Sequence, residues 1–532
     1  MNRKTFLKGA AILGIAGIIV QILGAFFRIP LANIIGDEGM GYYQTAYPIY
    51  ICLLVFSTNG APAAISKMTA EKIAVGNTSE AHRIFQVSFI LLAGIGIVTS
   101  LAVFLGAMPI VSYLGNVGAY YSMMAIAPAL LFAPIMSVYR GYFQGYQDMG
   151  PTASSQIVEQ IVRVGVGLIL AVVLVSVSIQ YAAAGAVAGG SIGPVFGTAF
   201  LIWLYRKRKI RMEIGRVQPA HDRSETKAIL KKLASIAIPI TIGVSIWPMM
   251  NLMDLLFVMR RLQDVGFTVE ASNALYGQLS GLAGPIINIP QALALSIALS
   301  LVPAISASKS AGDIAFLKQN VQLALRIAMI VGVPCSFGLI ALAHPIMALL
   351  YPLQIESAQS ATGCLIYLAS GVIFIAVAQA MSGILQGLGK PSLSVYALIA
   401  GLLVKGVFTY VLTGMTELNV QGAAIGSSMG LAVVALLNLY YVKKETNIGF
   451  RYRQDVGKPL VCGLIMVIAV LACYFGISLI IESRLITLLA VVAGAVVYVV
   501  ALIKLKVISH DEIKALPKGD LIEKILIKVK LI

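Results

Sequence analysis

The strongest constraint on this chain is a succession of apolar runs, each roughly 20 residues long, the length that a helix needs to cross a bilayer. The runs are rich in Gly, Ala, Ile, Leu and Val, and they lack the period-2 alternation of membrane-barrel strands. Of the 532 residues, 59% are hydrophobic and 11% are charged, which excludes a soluble globular protein. The sequence therefore predicts an all-α integral membrane protein.

Length and hydropathy together predict about fourteen membrane spans. The first twelve form two sets of six, and the last two stand outside these sets as an accessory pair. The predicted spans are residues 9–33, 42–66, 84–106, 120–145, 154–178, 181–205, 233–259, 274–305, 319–343, 359–387, 392–414, 420–442, 457–481 and 484–506.

Lys and Arg accumulate in alternate connections between these spans, as the positive-inside rule requires. The densest block is Arg206–Lys232, which holds ten basic residues against three acidic ones. We therefore predict a multi-pass protein of the cytoplasmic membrane with both termini in the cytoplasm. The anionic leaflet accounts for the formal net charge of +17, so we expect membrane lipids and no nucleic acid as partners.

Three pairs of short motifs recur in the same order with an offset of about 240 residues, which indicates an internal repeat. The pairs are PAAIS at 62–66 with PAIS at 303–306, FQG at 143–145 with LQG at 385–387, and the small-residue stretches that begin at Ala183 and Gln421. Because six spans is an even number, the two halves enter the membrane from the same side and form a parallel repeat. Chance similarity between Gly-rich helices is the alternative.

These patterns divide the chain into five segments. The last is an amphipathic cytoplasmic tail in which Lys alternates with Ile and Leu, as interfacial helices do. The predicted segments are a first six-helix lobe at 1–205, a basic loop at 206–232, a second lobe at 233–442, an accessory helix pair at 443–506 and the tail at 507–532.

Ionisable side chains inside a span are costly and therefore mark functional positions. Arg28 lies toward the outer end of the first span, and Asp254 lies at a similar depth in the seventh. We predict that Asp254 is a gate or ion-coupling residue that pairs with Arg28 to close the outer face. The alternative for Arg28 is snorkelling to the outer headgroups.

More charges lie in the fourth, fifth and eleventh spans. Arg140 is near the end of the fourth, and Glu159 lies one turn before Arg163 on the fifth, so this acid can neutralise either arginine. Arg163 and Lys405 lie at nearly the same depth, near the middle of the membrane, in corresponding helices of the two repeats. With Arg28, these groups predict a cavity for an anionic head such as pyrophosphate. A purely structural ion pair is the alternative for Arg140 and Glu159.

Tyrosines recur along the second span at positions 42, 43, 47 and 50. An interfacial aromatic belt explains the first two and is the default interpretation of the set. Stacking on sugar rings is the alternative for Tyr47 and Tyr50.

Three stretches carry a family resemblance: YRGYFQGYQDMGPTASSQIVEQIVR at Tyr139–Arg163, FRIPLANIIGDEGMGYYQ at Phe27–Gln44 and GAPAAISK at Gly60–Lys67. They resemble the stage V sporulation protein B group, in the MurJ-type branch of the multidrug/oligosaccharidyl-lipid/polysaccharide exporter superfamily. The resemblance covers nearly the whole chain and implies two six-helix lobes that move a lipid-linked oligosaccharide, such as a peptidoglycan precursor. It also implies that Arg28 is the first-helix arginine that lines the cavity of MurJ-type flippases.

The sequence thus predicts a non-enzymatic flippase for an anionic lipid-linked glycan that works by alternating access. A cation-coupled multidrug exporter is less favoured, because such a protein needs acids rather than bases facing its cavity. A membrane enzyme such as a glycan ligase usually has a large outer loop, and none is evident here. A scaffold that recruits cell-wall synthesis enzymes through the basic loop and tail is a further alternative.

No cofactor is expected. The five Cys and four His are scattered without the spacing of a disulfide framework or a metal site. The chain also lacks the GxxxxGK[ST] motif of nucleotide hydrolysis. We therefore expect transport to be driven by Na+, H+ or the membrane potential.

Overall fold

The computed structural model describes residues 3–209, 223–480 and 483–507. Within these ranges the chain is helical and contains no strand. Thirteen helical segments of the described chain are long and apolar enough to cross a membrane, and the first of them, Ile12–Ala74, covers two predicted spans. The prediction of an all-α membrane protein with about fourteen spans is confirmed.

The chain divides into two compact units, Met1–Gly281 and Leu282–Ile532. The predicted boundaries of the lobes stay a prediction, as do those of the basic loop and the tail, since 210–222 and 508–532 lie outside the described residues. The helices of the first unit are α1 (Arg3–Thr58), α2 (Gly60–Ala74), α3 (Thr78–Tyr113), α4 (Tyr120–Ile126), α5 (Ala129–Gly145), α6 (Gly150–Leu174), α7 (Ile179–Lys209), α8 (Arg223–Asp264) and α9 (Val269–Gly277).

The second unit holds the remaining spans and the accessory pair. A π-helical turn, Gln278–Ala283, leads into it, and a second one, Arg453–Gly457, precedes the accessory pair. Its helices are α10 (Gly284–Ser310), α11 (Ile314–Ala341), α12 (Ala343–Leu350), α13 (Ile355–Ser370), α14 (Val372–Gly387), α15 (Pro391–Thr413), α16 (Gln421–Thr446), α17 (Lys458–Ser478) and α18 (Ile486–Lys504).

The first two predicted spans are joined without a loop. Helix α1 continues through residues 34–41 with a single break at Gly36, where φ is 68° and ψ is −173°. Only glycine adopts this conformation readily, because a Cβ would clash with the backbone. The helix then ends at Thr58, within the predicted second span, and α2 carries the chain onward. Between the first two spans the chain thus changes direction at Gly36.

The repeated motifs of the two halves make the same contact within each unit. A Cβ built on Gly145, at the end of α5, would lie 3.0 Å from the carbonyl oxygen of Ser66 on α2. A Cβ on Gly387, at the end of α14, would lie 2.8 Å from the carbonyl oxygen of Val302 on α10. In each half, the glycine that closes the fourth span therefore packs directly on the backbone of the helix that carries the repeated motif, PAAIS in α2 and PAIS in α10.

The fifth and sixth spans of each half also pair in the same way, α6 with α7 and α15 with α16. A Cβ on Gly193 of α7 would lie 3.2 Å from the Cβ of Arg163 on α6. A Cβ on Gly430 of α16 would lie 2.8 Å from the Cβ of Lys405 on α15. Arg163 and Lys405 therefore occupy matching positions, each against a small-residue face of the following helix, and the predicted repeat is confirmed.

A buried ion pair anchors the accessory helices to α11 within the second unit. Arg326 on α11 donates from Nε to Oδ1 of Asp455 at 3.0 Å, and Asp455 is 0% exposed. The backbone N–H of Arg451 donates to the other oxygen of this carboxylate at 3.1 Å. Arg326 also reaches the carbonyl of Val507 beyond α18, at 3.4 Å from Nη1. One arginine thus joins α11 to both ends of the accessory pair.

Candidate anion-binding site

Two of the predicted arginines meet at one aromatic ring in the first unit. The guanidinium carbon of Arg28 lies 5.3 Å from the ring centroid of Tyr47, and that of Arg163 lies 5.2 Å from the same centroid. Arg28 precedes the break at Gly36 and Tyr47 follows it, so the change of direction in α1 brings both of its segments to α6. We call Arg28, Arg163 and Tyr47 the arginine–tyrosine cluster.

Further tyrosines flank this cluster on the same helical face. The ring of Tyr43 stacks on that of Tyr47, with 5.7 Å between centroids and an interplanar angle of 18°. The ring centroid of Tyr50, one turn after Tyr47, lies 6.1 Å from that of Tyr47. Residues at i, i+4 and i+7 share one face of a helix, which explains the alignment. The electron-rich ring faces stabilise cations that have lost part of their water.

Neither arginine of the cluster forms a salt bridge with an acid of the described chain. Ion pairs among residues 3–209, 223–480 and 483–507 involve neither Arg28 nor Arg163. Two cations beside aromatic rings within membrane spans can bind an anion, because its oxygens replace the hydrogen bonds lost with water. The cluster therefore has the chemistry of an anion-binding site.

The other two charged residues of this unit pair with each other. Arg140 on α5 donates from Nη2 to Oε2 of Glu159 on α6 at 2.9 Å, and from Nε to the hydroxyl of Ser155 at 3.0 Å. The side chains of Arg140 and Glu159 are only 15% and 21% exposed. The sequence allowed Glu159 to neutralise either Arg140 or Arg163. In the structure Glu159 pairs with Arg140, whereas Arg163 lies beside the ring of Tyr47.

The other two predicted site residues are Lys405 and Asp254. Lys405 is 6% exposed on α15, against α16 of the second unit. Asp254 lies on α8, within electrostatic range of Tyr276 on α9. The pairing of Asp254 with Arg28 stays a prediction, as does a cavity shared by Lys405 and Arg163.

A polar network that sequence reasoning did not identify lies near the break in α1. Asn116, which is 0% exposed, donates from Nδ2 to Thr45 Oγ1 at 2.8 Å and to Asn273 Oδ1 at 2.7 Å. Asn273 in turn donates to the carbonyl of Glu38 at 2.8 Å. Gln278 donates to Oδ2 of Asp37 at 2.9 Å. The available signal was the run DEGMGYYQT at 37–45, which is polar at a junction of two apolar segments.

The fold and this site define a multi-pass membrane protein with an internal repeat and two clustered arginines in its first unit. A family model described as polysaccharide biosynthesis protein matches residues 6–309, and the MatE model matches residues 279–411. Because the first model matches more than half of the chain, the chain belongs to the polysaccharide biosynthesis protein family.

Relatives from Bacillus subtilis extend this similarity over nearly the full length. The chain is 28% identical to the uncharacterized membrane protein YabM, covering 99% of this chain and 97% of the relative. It is 27% identical to stage V sporulation protein B, covering 97% and 98%, and 25% identical to the lipid II flippase MurJ, covering 92% and 94%. The predicted resemblance is confirmed, and the relatives with assigned transport roles are flippases rather than enzymes.

Solved structures show the same fold. The lipid II flippase MurJ in an inward closed conformation matches with a TM-score of 0.70 and 15% identity, covering 92% of this chain and 97% of that one. An inward-facing multidrug resistance MATE family transporter matches with a TM-score of 0.69 and 17% identity, covering 82% and 98%. This chain therefore shares its fold with both of these proteins.

Proposed function

We propose that this protein is a flippase that moves a lipid-linked oligosaccharide with a pyrophosphate head across the cytoplasmic membrane by alternating access. The observation that carries the proposal is the arginine–tyrosine cluster, in which two guanidinium groups contact Tyr47 within 5.3 Å of its centroid. Such a site favours an anionic head and disfavours the cationic drugs that many exporters carry. The names of MurJ and of the matched family support a glycan substrate.

The chemistry assigns distinct roles to the parts of the site. Arg28 and Arg163 would bind the phosphate oxygens through charge-assisted hydrogen bonds, which are about twice as strong as neutral ones. Tyr47 would position the two guanidinium groups, since its ring centroid lies within 5.3 Å of both guanidinium carbons. The lipid tail would remain in the bilayer, so the protein would have to shelter only the polar head.

The driving force belongs to the same proposal. A gradient of Na+ or H+, or the membrane potential, would bias the direction of movement, and a potential contributes about 2.3 kcal/mol per charge per 100 mV. Asp254 is the proposed coupling group because it is an acid of α8 that lies inside an apolar stretch long enough to cross a membrane. We propose no cofactor.

The function is tested by transbilayer movement of a fluorescent undecaprenyl-pyrophosphate-linked sugar in proteoliposomes. We expect the parent to move the lipid, and Arg28→Gln and Arg163→Gln to lose most of this activity while folding normally. Arg260→Gln is the matched control, because Arg260 also lies over a tyrosine, 3.8 Å from the ring of Tyr113, but is exposed. This control should retain the activity of the parent.

The outcomes separate the proposal from its main competitor. A parent that moves no pyrophosphate lipid under an ion gradient or potential, but extrudes a lipophilic cationic dye, would establish drug export, which the MatE match at 279–411 favours. Equal losses in Arg163→Gln and Arg260→Gln would show that the cluster has no special role. Loss confined to the Arg28 and Arg163 variants supports the anionic substrate.

Localisation completes the proposal: the protein lies in the cytoplasmic membrane with both termini inside the cell. Two single-cysteine variants in a cysteine-free background test this, Gly215→Cys in the predicted basic loop and Glu356→Cys in a predicted outer connection. We expect an impermeant thiol reagent added to intact cells to label the cysteine at 356 but not the one at 215. The reverse pattern would invert the proposed orientation.

A further inference from the structure

The position of Glu159 poses a problem for the proposed site. Glu159 lies four residues before Arg163 on α6, and an acid placed one turn N-terminal to a base forms the favoured helical ion pair. In the structure, however, Glu159 bonds to Arg140 on α5 at 2.9 Å, and Arg163 lies over Tyr47. The carboxylate of Glu159 is therefore kept from pairing with Arg163, the base one turn away on the same helix.

Two features keep Glu159 paired with Arg140: a second hydrogen bond of this arginine and the burial of both side chains. Ser155, one turn earlier on α6, accepts from Nε of Arg140 at 3.0 Å, so the guanidinium is fixed along this helix. Both members of the pair are largely buried, so solvent screens their attraction weakly. Glu159 is thereby drawn toward α5, on the side where Arg140 lies.

The second repeat provides an independent observation. The residue four positions before Lys405 is Gly401, and the residue three positions before the LQG motif, where Arg140 stands in the first repeat, is Ser382. Ser382 shares a hydrogen bond with Ser394 at 2.7 Å. The acid beside the membrane cation and the arginine that binds it are therefore absent together, which indicates that the two function as a unit.

We infer that Arg140 is a positioning residue that sequesters the carboxylate of Glu159, so that the charge of Arg163 remains available to an anionic ligand. The inference rests on the proposed function, because it describes how that site is kept competent. Without Arg140, the carboxylate of Glu159 pairs with Arg163 one turn away on α6. This ion pair neutralises the charge of Arg163. A phosphate must then compete for Arg163 with a carboxylate of the same helix.

The test is a set of four proteins in lipid nanodiscs: the parent, Arg140→Gln, Glu159→Gln and the double variant. Binding of undecaprenyl pyrophosphate is measured for each, together with the melting temperature. We expect Arg140→Gln to weaken binding about tenfold, in the range of couplings between neighbouring charges. Glu159→Gln should bind as tightly as the parent or more tightly, and the double variant should recover the affinity of the parent.

A merely structural ion pair makes a different prediction. It requires Glu159→Gln to be as damaging as Arg140→Gln, with no recovery in the double variant, and that result would overturn the inference. Lys390→Gln serves as the charge control, because Lys390 pairs with Glu445 on the exposed surface. Binding by Arg140→Gln that equals the parent would also overturn it. If the parent itself binds no more tightly than Arg163→Gln, the proposed function fails instead.

Discussion

Arg163 on α6 places its guanidinium carbon 5.2 Å from the ring centroid of Tyr47 on α1. This contact joins the first two spans to the fifth and puts a cation beside a π-system rather than beside an acid. A cation over an aromatic face keeps its full charge, whereas an ion pair cancels it. In the proposed function, this relationship keeps the charge of Arg163 available to an anion within membrane spans, and its chemistry leads to the first prediction.

Replacing Tyr47 separates the contribution of its ring from that of its hydroxyl. We expect Tyr47→Phe to retain most of the affinity for undecaprenyl pyrophosphate, because the aromatic face remains. Tyr47→Leu should lose about 1–2 kcal/mol of binding free energy, since both cation–π contacts disappear. Titration of the two variants in nanodiscs checks this expectation. Equal affinities for Phe and Leu would show that the ring face does not position the arginines.

Close packing of α6 on α7 should depend on Gly189. A Cβ at this position would lie 2.4 Å from the carbonyl oxygen of Arg163, so Gly189→Ala must push the two helices apart. We expect a loss of about 1–3 kcal/mol in stability, typical of overpacking, and a lower melting temperature in detergent. Gly165→Ala on α6 is the control, because no atom lies within 4 Å of its Cβ position. A melting temperature that falls as far in Gly165→Ala as in Gly189→Ala would contradict the prediction.

Removing one partner of the buried ion pair between Arg326 and Asp455 should weaken the packing of the accessory helices on α11. Arg326→Met leaves a carboxylate that is 0% exposed without its guanidinium, and such a change costs about 3–5 kcal/mol. Adding Asp455→Leu should recover part of this loss, although the bond from Arg451 disappears with the carboxylate. Thermal unfolding of the single and double variants measures both effects.

An exposed pair provides the comparison for that experiment. Lys390→Met removes a surface partner of Glu445 and should cost no more than about 1 kcal/mol. A double variant at Arg326 and Asp455 that is less stable than Arg326→Met alone would show that the carboxylate stabilises the unit even without its arginine.

The contact of α9 with the break in α1 should depend on Gly277. A Cβ there would lie 1.9 Å from the carbonyl oxygen of Asp37, so Gly277→Ala cannot keep the present backbone approach. We expect the hydrogen bond from Gln278 to Asp37 to weaken and amide hydrogen exchange across 269–283 to accelerate. Gly243→Ala on α8, where the Cβ position is open, should leave exchange in this segment unchanged.

Much of the architecture could be predicted from the sequence, because lipid imposes simple rules. A backbone in hydrocarbon must satisfy its own hydrogen bonds, so apolar runs of sufficient length become helices regardless of their neighbours. The motif pairs at 62–66 with 303–306 and at 143–145 with 385–387 also predicted the repeat, which the matching contacts of Gly145 and Gly387 confirm. The helical connection between the first two predicted spans was not predicted, because the change of direction needs only the backbone conformation of Gly36.

The sequence by itself determined which residues are candidates for the chemistry, since charged side chains inside apolar spans are conspicuous. It did not determine their partners. Spacing on α6 allowed Glu159 to neutralise either Arg140 or Arg163, and only the packing of α5 against α6 decided for Arg140. Likewise, the sequence showed Tyr47 only as one member of an aromatic series, and the tertiary structure placed two arginines beside its ring. Helix formation is a local property of composition, whereas contacts between distant helices depend on which small-residue faces allow close approach.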